Sequence, residues 1–285
     1  MRMPSLALRR VVLLLLLGSA GCCASQKYAV LISTNQTQFD DMSIHSEWWY
    51  DLVYQYKMLH ESGFTDDRIY VLYGDGHDFP TTHAAYDSQV QFGHAITDMP
   101  VSKANVAGVF SLLGSKMTKR DYLYVWWMGH GGGSGPGQCD LTMYISNTGE
   151  TVMDHELKTY MSAAPNYRKR SISIMTCHSG GLLNDFNTTG DPTVVLASST
   201  CSENSYDAPT TCNGIVEAEF NYTDPSALRK KNVCGTPVTS DTTVDGFVSL
   251  QEVQQYNALS MTMSTPQLGD PSALAATTFP AKSAP

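Results

Sequence analysis

Positive charge is scarce in this sequence: 18 Lys and Arg stand against 27 Asp and Glu over 285 residues, for a net charge of -9. Such a chain repels a phosphate backbone, which excludes nucleic acid as a partner. Long apolar runs are scarce too. The Val/Leu run from Val11 to Leu17 is too short to span a bilayer, so no transmembrane span is expected. No segment repeats at a fixed period, which excludes a solenoid or a propeller. Histidine is absent after His178, and this restricts the order in which catalytic groups can occur along the chain.

What is present begins with "MRMPSLALRRVVLLLLLGSAGCCAS": a basic start, a short apolar run and then small residues. That is the three-part layout of a secretory signal, and it predicts removal of residues 1–21. The loss of Arg2, Arg9 and Arg10 leaves the remainder more acidic still. Ser19-Ala20-Gly21-Cys22 is similar to a bacterial lipobox, with Ser19 where Leu is usual, so Cys22 is a candidate for a lipid anchor. The expected destination is secreted or extracytoplasmic, with a membrane-anchored lipoprotein and a vacuolar or lysosomal compartment as alternatives. Three sequons, at Asn35, Asn187 and Asn221, fit that route.

Export changes how the cysteines are read, because thiols outside the cytoplasm tend to pair. Beyond Cys22 and Cys23 there are five: Cys139, Cys177, Cys201, Cys212 and Cys234. Two disulfides would leave one thiol over, and arithmetic does not say which.

The length allows one large α/β domain. "KYAVLIS" (27 to 33) predicts a buried strand, "SEWWYDLVYQYKMLHESG" (46 to 63) an amphipathic helix ended by Gly63, and "RIYVLYG" (68 to 74) a second strand. This β-α-β unit predicts a parallel sheet. A long loop is expected over 75 to 100, then a helix over 103 to 117. The apolar strand "DYLYVWWM" (121 to 128) runs into "GHGGGSGPG". Further strands are expected at 141 to 146, 171 to 175 and 193 to 199, with a helix near 153 to 163. The Ala/Thr/Ser/Pro end after 271 predicts a loosely ordered tail.

In an open parallel sheet, ligands bind beyond the carboxyl ends of the strands. Two central-looking strands end there in reactive groups. "DYLYVWWM" delivers Gly129-His130-Gly131, and "SISIM" delivers Thr176-Cys177-His178. A thiol beside an imidazole becomes a thiolate, and the imidazolium then protonates a leaving amine. Glycines after the histidine free backbone N–H groups to approach an oxyanion. The plain alternatives are a disulfide half for Cys177 and a turn for His130-Gly131. His178 reads as a loop side chain, because adjacent residues at a strand end point in different directions. "HGGG" is similar to the oxyanion motif of some α/β-hydrolases, but that fold needs glycines flanking the nucleophile and a histidine after it. The loop residues Asp75, His77, Asp78, His83 and His94 match no zinc spacing.

These residues resemble the legumain-type cysteine peptidases, in the caspase-like group that also holds the catalytic subunit of GPI transamidase. The resemblance rests on "WWMGHGG" and "SIMTCHSGG", extends to "YAVLISTN" and "RIYVLYGDG", and spans most of residues 27 to 207. It implies a three-layer α/β/α caspase-like fold with a mostly parallel sheet over residues 26–270. It implies His130 as general acid/base, Cys177 as nucleophile, the N–H groups of Gly131 and Cys177 as oxyanion donors, and Asn35 as orienter of the histidine. His45 matches one member of the family's Arg-His pocket pair. Ser179 and Ser198 stand where the family binds substrate. Ile44 replaces the pocket arginine and Met175 the pocket glutamate, so strict cleavage after asparagine is not expected.

With Cys177 free, the other four thiols form two bridges in any of three connectivities, and Cys201 with Cys212 is the expected pair. "DTTVDGFVSLQE" (241 to 252) has an EF-hand-loop layout, with Asp241, Thr243, Asp245, Ser249 and Glu252 as candidate calcium ligands. The expected function is cleavage of peptide or protein substrates by an exported cysteine endopeptidase that requires no cofactor, with a structural calcium as an accessory. A transpeptidase and a non-catalytic binding or adhesion protein on the same fold are the alternatives.

Overall fold

The computed structural model describes residues 24–34, 47–133, 135, 138–209 and 211–277. Residues 1–21, expected to be a signal peptide, and Cys22, Asn35, Ile44 and His45 lie outside the described residues. In chain order the elements are β1 (Lys27–Ser33), α1 (Glu47–Glu61), β2 (Ile69–Tyr73), α2 (Ser88–Phe92), α3 (Lys103–Lys116), β3 (Tyr122–Met128), β4 (Gly131–Gly133), β5 (Leu141–Ile145) and β6 (Glu150–Met153). There follow α4 (Asp154–Met161), β7 (Lys169–Met175), α5 (Leu182–Phe186), β8 (Thr193–Ala197), α6 (Glu219–Arg229), α7 (Leu250–Ser260) and β9 (Gln267–Gly269).

The strand order in the main sheet is β2-β1-β3-β7-β8-β9, parallel except for β9 at the edge. The sequence reason is the near-continuous apolar character of β1, β3 and β8, which suits strands buried on both faces. Alternate side chains divide between two cores. Tyr122, Tyr124, Trp126 and Met128 of β3 join the core that includes residues of α1, α6 and α7. Leu123, Val125 and Trp127 join the core that includes residues of α3, α4 and α5. The result is a three-layer α/β/α architecture.

The chain leaves β1 for β2 on one side and returns to β3 on the other, so the order reverses between β1 and β3. A crevice opens at such a switch point, beyond the carboxyl ends of the strands. The antiparallel sheet β4-β5-β6 lies between β3 and α4 in the chain, immediately after His130.

Several expectations are corrected. The disulfides join Cys139 to Cys201 and Cys212 to Cys234, with Cα–Cα distances of 5.1 and 6.2 Å, so Cys201 does not pair with Cys212. Cys177 is the free cysteine among the described residues. Residues 271–277, expected to be loose, are tied down: Ala275 is 2% exposed, and Lys169 Nζ donates to the Leu274 carbonyl at 2.8 Å. Asn221 is buried in α6, where its Nδ2 donates to Asp51 at 3.1 Å and its Oδ1 accepts from Trp126 Nε1 at 3.1 Å. The folded protein therefore offers no sequon there, whereas Asn187 is exposed at the end of α5. Among the described residues no helix is long and apolar enough to cross a membrane.

Candidate active site

The register of the three central strands sets the site. Ser33 pairs with Met128, and Met128 pairs with Met175, so β1, β3 and β7 end level with one another. Thr34 N donates to Met128 O at 3.0 Å and Gly129 N to Met175 O at 3.2 Å, which carries the ladder one residue further. His130 and Cys177 each stand two residues past this shared line. Two loops that the sequence separates by 47 positions thus leave neighbouring strands side by side.

The loops touch. A Cβ added to Gly131 would collide with the Cys177 carbonyl oxygen and come within 2.8 Å of Thr176 Cβ. Glycine is required at 131 by this close approach. Tyr144 N donates to His130 O at 3.0 Å across the β4–β5 pair, which makes Gly131 and Met143 a non-hydrogen-bonded pair. The Gly131 N–H therefore points away from β5, toward the open edge of β4. The His130 ring meets Trp48 edge to face, with centroids 4.8 Å apart at 74°, so the first turn of α1 supports the imidazole. His130 is exposed and Cys177 is half-buried, with its Sγ 3.8 Å from the Ser205 carbonyl oxygen.

His178 is engaged elsewhere. It adopts the left-handed conformation (φ 61°), its N–H donates to Glu203 O at 2.8 Å, and its Nδ1–H donates to Cys201 O at 2.9 Å. A protonated Nδ1 fixes the tautomer and ties the ring to the loop after β8.

Ser179 and Ser198, the residues expected to contact substrate, are each 0% exposed. They brace the cysteine turn from behind. The Thr176 carbonyl is approached by the hydroxyls of Ser198 (3.3 Å), Ser199 (3.3 Å) and Ser205 (2.7 Å), and Ser179 Oγ lies 3.1 Å from both Ser198 Oγ and Ser199 Oγ. Met175 packs in the core that contains Trp48 and Trp126.

The candidate calcium residues are occupied by the protein itself. Asp241 accepts from Asp245 N and Gly246 N, and Lys230 Nζ sits in the loop, donating to Asp241 Oδ2 at 3.3 Å and Gly246 O at 2.9 Å. Asp245 accepts from Phe247 N. Ser249 and Glu252 form the capping box of α7, and Glu252 also accepts from the N–H and hydroxyl of Thr243. Burial pushes the Glu252 carboxyl up, but these donors outweigh it and bring it to about 2. In the loop before α3, Asp78 accepts from Ile96 N and Thr97 N, and His77 pairs with Asp75. Among the described residues no group of three or more His, Cys, Asp or Glu side chains forms a metal-ligand set.

A buried acidic cluster behind Trp48 escaped the sequence reading. Asp51, one turn along α1 from Trp48, accepts from Ala218 N and Asn221 Nδ2, and Glu217 accepts from Tyr86 OH at 2.6 Å. Burial, then the charges of Glu217 and Glu47, raise the Asp51 carboxyl well above the usual range. Burial raises Glu217 to about 7 against the pull of the Tyr86 hydroxyl. No one-residue signal marks such a cluster, because its members come from α1, the segment around 213 to 218 and α6.

No protein-family model matches this chain, and no curated protein matches its sequence.

Proposed function

We propose that this chain is an exported cysteine endopeptidase of the legumain type, acting on peptide or protein substrates through His130 and Cys177 on a caspase-like fold. The observation that carries the reading is the joint placement of the two groups. An imidazole and an unpaired thiol leave adjacent parallel strands at the same level, with a glycine between them packed on the cysteine backbone, while the other four described thiols are paired.

In the proposed reaction the Cys177 thiol gives its proton to His130 and the thiolate attacks a peptide carbonyl. The N–H groups of Gly131 and Cys177 stabilise the oxyanion. The tetrahedral adduct collapses to a thioester as the imidazolium protonates the departing amine. Water then attacks the thioester, His130 takes its proton, and the carboxylic acid leaves as the thiol is restored. A second amine in place of water would give transpeptidation. Loss of the paired pocket charges, through Ile44 and Met175, favours a specificity other than asparagine. Two disulfides fit an oxidising compartment outside the cytoplasm.

The test is the rate of iodoacetamide labelling at Cys177 near neutral pH, mapped by mass spectrometry on the mature protein and on His130→Ala. Rapid labelling that the histidine substitution slows is the expected result. A rate indifferent to His130 would sink the peptidase reading in favour of a binding protein.

A further inference from the structure

The turn that follows Cys177 is gripped from two sides. A Cβ on Gly180 would lie 2.8 Å from Cys201 N and 2.8 Å from Ser199 O, and a Cβ on Gly181 would lie 2.9 Å from Cys139 O and 3.0 Å from Leu141 N. Gly180 is thus pressed against the segment after β8, and Gly181 against the segment that leads from the His130 loop into β5. Those two segments are the ones the Cys139–Cys201 disulfide joins. His178 adds to the grip, with its Nδ1–H on the Cys201 carbonyl and its ring against Gly133 of β4. The peptide after Cys177 passes between two walls, and the disulfide fixes the distance between them.

Hydrogen bonds reach the turn from each wall, Ser179 bonding Ser199 and Asn184 Nδ2 donating to the Cys139 carbonyl at 3.3 Å, but the disulfide is the covalent link between the two segments. Residues 138–140 have no assigned secondary structure, and the main-sheet strand β8 ends at Ala197, before Cys201. The left-handed backbone at His178 is disfavoured for a residue with a Cβ, so the turn depends on outside contacts to stay in place. Without the covalent link the two walls are held by hydrogen bonds alone, and the turn that sets the Cys177 carbonyl against Gly131 is free to shift.

We propose that the Cys139–Cys201 disulfide positions Cys177 against the His130 loop, so that the site works only with Cys177 reduced and this disulfide oxidised. The proposal rests on the reading of Cys177 and His130 as a catalytic pair. It gives the site a window of reducing strength. A dithiol reductant inactivates it by attacking one sulfur of the pair as a thiolate, forming a mixed disulfide and then closing its own ring. Two electrons and two protons pass to Cys139 and Cys201, and the reductant leaves as a cyclic disulfide.

The experiment measures iodoacetamide labelling at Cys177 in five proteins: the mature chain, His130→Ala, Cys139→Ser/Cys201→Ser, that pair with His130→Ala, and Cys212→Ser/Cys234→Ser. The last removes the other disulfide and should label like the parent. Breaking the clamp is expected to slow labelling about tenfold, since the thiol reverts to the few per cent of thiolate an isolated cysteine carries near neutral pH, and His130→Ala should then have no further effect. A dithiothreitol titration of the unmutated protein covers the case in which the serine pair fails to fold: the Cys177 rate should fall in step with the mapped loss of Cys139–Cys201. Parent-like labelling with intact dependence on His130 after the disulfide is gone overturns the clamp and leaves the catalytic pair standing. Labelling of the parent that ignores His130 overturns both.

Discussion

Glu217→Gln should free the protein from much of its loss of stability as pH rises. Glu217 is fully buried, with Oε1 accepting from Tyr86 OH and Oε2 without a partner, and Tyr86 in turn accepts from Asn213 Nδ2 at 2.6 Å. Burial raises its carboxyl from 4.5 to about 7. Below pH 4.5 both folded and unfolded chains hold the proton. Between 4.5 and about 7 only the folded chain does, so stability is lost as pH climbs through that interval. At about 1.4 kcal/mol per pH unit, the loss amounts to about 3 kcal/mol above pH 7. Glutamine keeps the acceptor for Tyr86 and cannot ionise. Relative to the parent, the variant should gain about 3 kcal/mol between pH 4 and pH 8, or about 5–10 °C in melting temperature. Asp51, which burial and then the charge of Glu217 raise, and Asp224, which burial raises to about 7 against hydrogen bonds from Asn257 and Ser173, leave a slope of the same sign in both proteins. Urea unfolding at several pH values is the assay, and parallel pH profiles for parent and variant would refute the assignment.

Arg170→Met should destabilise the chain by about 2 kcal/mol in urea unfolding, because Arg170 is buried between Tyr167 and Phe186 and donates to the half-buried Asp191 at 3.0 Å and to Thr193 at 3.0 Å; an unchanged midpoint would contradict a stabilising role for these bonds. His178→Gly should be about 1 kcal/mol more stable than His178→Ala, since glycine accepts the left-handed backbone, and Cys177 labelling should still depend on His130 in both. Equal stabilities, or a labelling rate that no longer depends on His130, would assign His178 a different part. If the chain is passed through a glycosylating secretory route, folded product should carry a glycan at Asn187 and none at Asn221, as glycopeptide mapping would report; folded product with glycan on Asn221 would contradict its burial in α6.

The central sheet was legible because β1, β3 and β8 are near-continuously apolar and β7 ends in the run Ser-Ile-Ser-Ile-Met: all four fall within a few residues of where those runs put them. Helix α6 was not. Its sequence, EFNYTDPSALR, holds a proline and several poor helix formers, and it is fixed by burial of Asn221, Asp224, Ser226 and Phe220 among other elements. Strand β4 was hidden for a related reason, since a run of three glycines carries no strand signal and pairs only because β5 lies beside it. The two loops that bear His130 and Cys177 could be read from strand ends alone. The roles of Ser179 and Ser198 could not, because burial on the back of a turn depends on residues some 20 positions away. The disulfide partners were hidden likewise: Cys139 and Cys201 are 62 residues apart and meet only through the packing of the turn between them.

Digestion of a mixed peptide library by the protein, compared with Cys177→Ala and His130→Ala, with acid-quenched samples weighed for acyl adducts, tests the catalytic pair most directly. A catalytic pair yields new peptide termini from the parent alone, together with a hydroxylamine-labile adduct on Cys177. Termini that appear equally with Cys177→Ala, or a parent that labels rapidly yet yields neither termini nor adduct, would contradict it.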